Sequence, residues 1–96
     1  MRLSEEKIAF IRKTVGQMIP DASIYLFGSR INDKAAGGDI DLLLLTDKKV
    51  STTLLRIFRR EFYKKFGWQK VDIVHFRHNE NNAFKSVIMD EAVPLI

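Results

Sequence analysis

Apolar positions recur along the chain at two different periods, and the changes of period predict its elements. Ile8, Ile11, Val15, Met18 and Ile19 follow a helical spacing and give one stripe to bury. Ser4 can cap that helix, with Glu5 and Glu6 in the first turn, where the helix dipole favours carboxylates; Pro20-Asp21 stops it. Residues 23–27, Ser-Ile-Tyr-Leu-Phe, are short, β-branched and aromatic, and read as a buried strand ended by Gly28-Ser29. A short helix is expected over 30–36 and a turn at Gly37-Gly38. Residues 39–46, Asp-Ile-Asp-Leu-Leu-Leu-Leu-Thr, form a second strand.

A second long helix is predicted over 51–65. Its apolar side is Leu54, Leu55, Phe58, Phe62 and Phe66, and Arg56, Arg59, Arg60, Lys64 and Lys65 occupy the rest. Gly67 suits the position just past its end. Residues 70–76 give a third strand, residues 81–91 a last helix with Phe84, Val87 and Ile88 turned inward, and residues 93–96 a short final strand. The order predicts an α/β (α+β) fold, a small mixed sheet flanked by helices. No internal repeat or linker-like tract interrupts it, so residues 1–96 read as a single domain.

Composition narrows the function classes. The chain has 96 residues, 46% of them apolar, enough for one modest core. Its longest apolar run, 42–45, is far below the roughly 20 residues that a membrane span needs. The charged start, Met1 to Lys7, lacks a secretory apolar block, and a cytoplasmic location is the expectation. Without Cys there is no disulfide framework and no Cys-based zinc or iron–sulfur site. A net charge of +4 is compatible with nucleotides, nucleic acid or an acidic protein surface as partner.

The informative feature is a conflict within the second strand. Residues i and i+2 of a strand share a face, so Asp39 and Asp41 project side by side while Ile40, Leu42 and Leu44 face the other way. Two adjacent carboxylates repel, and burial beside leucines adds to the cost. A hard divalent cation such as Mg²⁺ removes that cost, and carboxylates plus substrate phosphates are its usual ligands. Asp72 interrupts the apolar run of the third strand; if that strand pairs beside the second, Asp72 joins Asp39 and Asp41. Three such carboxylates can hold two metal ions about 3.5–4 Å apart, an arrangement suited to phosphoryl transfer. Gly28-Ser29 supplies the complement. Gly lets backbone approach a ligand, the following helix start offers N–H groups to phosphate, Ser29 adds a hydroxyl and Arg30 a fixed positive charge.

With these residues in view, Leu26-Phe27-Gly28-Ser29-Arg30 followed by Asp39-Ile40-Asp41-Leu42 and Val71-Asp72-Ile73 resembles the DNA polymerase beta-like nucleotidyltransferase superfamily. It is closest in pattern to the minimal, MNT-type nucleotidyltransferase domains. The resemblance implies a nucleotidyltransferase-like fold and transfer of a nucleoside monophosphate, AMP from ATP, to an acceptor hydroxyl with pyrophosphate leaving. It assigns Gly28, Ser29 and Arg30 to the triphosphate, and Asp39, Asp41 and Asp72 to catalysis and to two Mg²⁺ ions. It also implies a partner surface: a homo-oligomer, or a small helical HEPN-type protein in a toxin–antitoxin pair, with this chain as the antitoxin-type member that modifies its partner. The sequence departs from the pattern at Asn32 and Asp33, where Arg and Gly are common, at Gly38, where Ser is common, and in a nine-residue spacer between Ser29 and Asp39 that is one shorter than usual.

Plainer readings stand beside these. Asp39 and Asp41 can be polar residues at a strand entry, Asp72 a salt-bridge partner of Lys70, Gly28-Ser29 a tight turn, and Arg30 a partner of Asp33 or Glu91. His75 and His78 read as packing and solvated residues, with no acid cluster beside them to make a metal site. Two other functions fit the sequence: a non-catalytic module that neutralises a partner by contact, and a nucleic-acid-binding domain using the basic helix.

Overall fold

Helix starts are fixed by side-chain caps, and the first of them is the Ser4 cap that the sequence predicts. In the computed structural model, which describes residues 3–28 and 39–96, the Ser4 hydroxyl accepts the Lys7 N–H at 3.2 Å and opens α1, Glu5–Met18. Ser51 does the same for Leu54 at 3.3 Å and opens α2, Thr52–Phe66. Gly67 ends α2 at φ 83°, a left-handed conformation that side chains rarely adopt. The strands are β1, Ser23–Phe27; β2, Ile40–Thr46; β3, Val71–Arg77; and β4, Val93–Pro94. The predicted helix over 30–36 and the turn at Gly37-Gly38 lie outside the described residues.

Among the described residues the strands form one mixed sheet in the order β3-β2-β1-β4. β1 runs antiparallel to both β2 and β4, and β2 runs parallel to β3 through the α2 crossover. With these three helices, the fold is the α+β arrangement expected from the sequence.

β2 is the central strand, and its leucine run is explained by burial on both faces. Ile40, Leu42 and Leu44 pack with Ile11 and Val15 of α1, Phe58 and Phe62 of α2, and Ile24 and Leu26 of β1. Leu43 and Leu45 face the opposite side, against Ile88, with Tyr25, Phe27, Val74 and Phe76 half-buried around them. The first face is closed by rings. Phe62 is fully buried, its centroid 4.9 Å from that of Phe66 and 5.8 Å from Phe10, which meets it edge to face.

One expectation is corrected. The last helix, α3, spans only Ala83–Met89, opened by the Asn82 side chain, which accepts the N–H groups of Phe84 and Lys85. Of the three residues expected to point inward, Ile88 does; Phe84 and Val87 are 55% and 66% exposed. Seven residues make two turns, enough to bury one side chain on the sheet but not a stripe.

At the far end of β2 a buried Thr46 is tied to two carbonyl and ring partners. Its hydroxyl donates to the Lys48 carbonyl and accepts from His75 Nε2 at 2.7 Å, which leaves His75 with its proton on Nε2. Burial pushes the His75 pKa down, with a smaller opposing pull from Glu80.

Phe62→Ala removes the centre of the α1–α2 ring cluster. A loss of about 3–5 kcal/mol is expected, a large share of the roughly 5–15 kcal/mol typical of a domain, read as a lowered urea midpoint.

Candidate active site

β2 and β3 enter the sheet together. Their parallel register sets Ile40 beside Val71 and Asp41 beside Asp72, and the Ile40 N–H donates to the Lys70 carbonyl at 2.9 Å. Neighbouring strands lie about 4.8 Å apart, so Asp41 and Asp72 occupy the same level of the same face. Asp39 immediately precedes β2 and, two residues from Asp41, belongs to that face as well. The condition posed by the sequence, that the third strand pair beside the second, is met.

β1 closes the group from the other side. Phe27 is the register partner of Asp41, and Gly28 follows at φ 75°. A side chain at Gly28 would collide with the Asp41 carboxylate, which fills the space a Cβ would take. Gly is therefore required twice here, for the backbone conformation and for the approach of the acid. Ser29 and Arg30, the other two residues expected at the triphosphate, lie outside the described residues.

The electrostatics follow from the placement. Burial, then repulsion from Asp72 and Asp39, pushes the Asp41 carboxyl above the usual carboxylate range, and Lys70 opposes the rise. The Lys70 Nζ stands 3.7 Å from an Asp39 oxygen and 3.9 Å from an Asp72 oxygen. The sequence offered Lys70 only as an alternative partner of Asp72; the structure gives it both acids. Oxygen-only ligands of this charge suit a hard divalent cation, and the residual repulsion on Asp41 is what such a cation would relieve.

A second group sits at the opposite end of the sheet, and sequence reading missed it. Asp21, Asp47 and His78 each bring one ligand atom to within 4.8 Å of the others, all exposed. The expectation that His78 has no acids near it is corrected: β1 and β2 are antiparallel, so Asp21 before one meets Asp47 after the other, and the parallel β3 delivers His78 to the same place. Local bonds account for the group. The Asp21 carboxylate accepts the Asp47 N–H at 2.6 Å, and His78 Nε2 lies 3.1 Å from the Asp21 carbonyl. The three aspartates at the other end are not drawn into so tight a group.

The basic helix presents Arg56, Arg59, Arg60, Tyr63 and Lys64 along an open groove of about 440 Å³. Arg59 is partly engaged, donating from Nε to the Val71 carbonyl at 2.9 Å on strand β3. Trp68, undecided from the sequence, is 78% exposed and lies 6.5 Å from the Tyr63 ring.

Residues 8–95 match the family described as Nucleotidyltransferase domain, and the chain belongs to that family. The match spans nearly the whole of the 96 residues, as in a minimal nucleotidyltransferase domain. Nucleotidyl transfer is the general chemistry the family brings. No curated protein matches the chain. Among the described residues, no helix is long and apolar enough to cross a membrane.

Two predictions follow from the crowding around Asp41. Gly28→Ala forces both a left-handed side-chain residue and a clash, and is expected to cost more than about 1 kcal/mol, measured by denaturant titration. Asp41 has a raised folded-state pKa, so between the ordinary carboxyl value and the raised one the folded chain binds more protons than the unfolded chain. Stability therefore falls as pH rises through that window and stays lowered above it. In EDTA at pH 7, Asp41→Asn is expected to raise the melting temperature by about 1–4 °C, a partly screened effect for a domain of this size. The gain should shrink as pH is lowered below 4 in thermal melts.

Proposed function

We propose that the chain is a Mg²⁺-dependent nucleotidyltransferase that moves AMP from ATP to an acceptor hydroxyl on a partner protein. The partner in this reading is a small helical HEPN-type protein, with this chain as the antitoxin-type member. The observation that supports the reading best is the register of β2 and β3, which sets Asp41 beside Asp72 with Asp39 adjoining and Gly28 against them. Family membership supplies the reaction class.

Asp39, Asp41 and Asp72 are the residues that would hold the metal, two Mg²⁺ ions in this proposal. When bound, the cations supply the positive charge that neutralises the acids and the triphosphate together. The chain's own contribution is orientation. Gly28 leaves room for the Asp41 carboxylate, and Gly28, Ser29 and Arg30 are assigned to the triphosphate. Asp72, on the outer strand β3, takes the proton of the acceptor hydroxyl. The acceptor oxygen then bonds to the α-phosphorus as the bond to the bridging oxygen of pyrophosphate breaks, and pyrophosphate leaves.

A second reading has one observation in its favour: the Lys70 ammonium already lies within 4 Å of Asp39 and Asp72. Acids satisfied in this way also suit a module that neutralises its partner by contact alone.

Incubation with labelled ATP, Mg²⁺ and a HEPN-type partner separates the two. Transfer of label to the partner is expected, with Asp41→Asn lowering the rate by more than about 100-fold, since changes even outside the ligand shell of a metal cost 10–100-fold. If no label moves and Asp39→Asn and Asp41→Asn neutralise the partner as well as the wild type, the contact reading holds instead.

A further inference from the structure

We infer that Lys70 is the resident counter-cation of the three aspartates, which a divalent cation must displace, so that Lys70 sets the concentration at which the site loads. The inference deepens the proposed function and rests on its metal site.

Three observations carry it. The position of Lys70 is built into the sheet: its carbonyl accepts the Ile40 N–H, between Asp39 and Asp41 in sequence, and it lies two residues before Asp72 on the same face. Its ammonium reaches acids from two separate segments, Asp39 before β2 and Asp72 within β3, at 3.7 and 3.9 Å. Its side chain is also 56% exposed, so the flexible four-carbon stem can carry the charge away into water at little packing cost.

Among the described residues, Lys70 is the basic residue ion-paired with these acids, and it brings one charge against three carboxylates. A divalent cation brings twice the charge and direct oxygen ligation, but it cannot share the acids with an ammonium that close without like-charge repulsion. Loading is therefore an exchange of Lys70 for the divalent ion. In the metal-free protein Lys70 keeps the acids from driving the strand ends apart; in the loaded protein it is released.

Mn²⁺ binding, measured without nucleotide by electron paramagnetic resonance and calorimetry on the whole chain, tests this. Lys70→Met is expected to bind Mn²⁺ about 3–30-fold more tightly than the wild type, the range that two half-exposed ion pairs allow. The same variant should melt at lower temperature in EDTA. Lys70→Arg keeps the charge and should stay within about 3-fold of wild-type affinity, which separates charge from shape. Equal or weaker Mn²⁺ binding by Lys70→Met, with Asp41→Asn abolishing binding in the wild-type background, would overturn the role of Lys70 while leaving the metal site standing. Absence of Mn²⁺ binding in the wild type and in Lys70→Met alike would overturn both.

Discussion

Parallel pairing of β2 with β3 forces two carboxylates to the same level of adjacent strands, and the rest of the site is a response to that constraint. The register is not free to slip. A one-residue shift would turn Leu43 and Leu45 into the face that Leu42 and Leu44 fill, and would carry Asp72 to the side packed with Phe58 and Phe62. The apolar core thus holds the acids together. The energy that keeps Asp41 beside Asp72 comes from leucine and phenylalanine burial elsewhere in the sheet, and the local electrostatics oppose it.

The two ends of the sheet handle their charges differently. At the end bearing Asp21, Asp47 and His78, a backbone N–H and a carbonyl take up the polar atoms, and all three side chains are open to water. At the end bearing Asp39, Asp41 and Asp72, the acids are half-buried, and among the described residues they meet a flexible ammonium from Lys70. The first set of bonds links neighbouring loop residues directly, whereas the ammonium sits on a flexible four-carbon stem. The second end carries the carboxylates that the proposed function assigns to a cation, and the chain belongs to a nucleotidyltransferase family.

Most of the fold was legible because its elements carry strong local signals. Ser4 is a cap, Gly67 a stop, and the Phe58, Phe62 and Phe66 spacing a helix face packed on a sheet. The last helix was less legible. Phe84, Val87 and Ile88 have helical spacing, but on the sheet face beneath α3 only Ile88 becomes buried, and the extent of the layer below is a property that no local window contains. The group formed by Asp21, Asp47 and His78 escaped for the same reason, because its members are 26 and 31 residues apart in sequence and meet only through two strand pairings.

By itself the sequence singled out the candidate residues: the carboxylates at 39, 41 and 72, the glycine at 28, and the alternation that puts Asp39 and Asp41 on one face. Those follow from residue type and a two-residue period, which are local. Tertiary structure decided that β3 lies beside β2 and parallel to it, that Asp72 stands level with Asp41, that Gly28 backs onto the same carboxylate, and that Lys70 reaches two of the acids at once. These are relations between segments, set by how the α2 crossover and the shared core fix strand order and register, and the physics that selects them acts only once the chain has closed on itself.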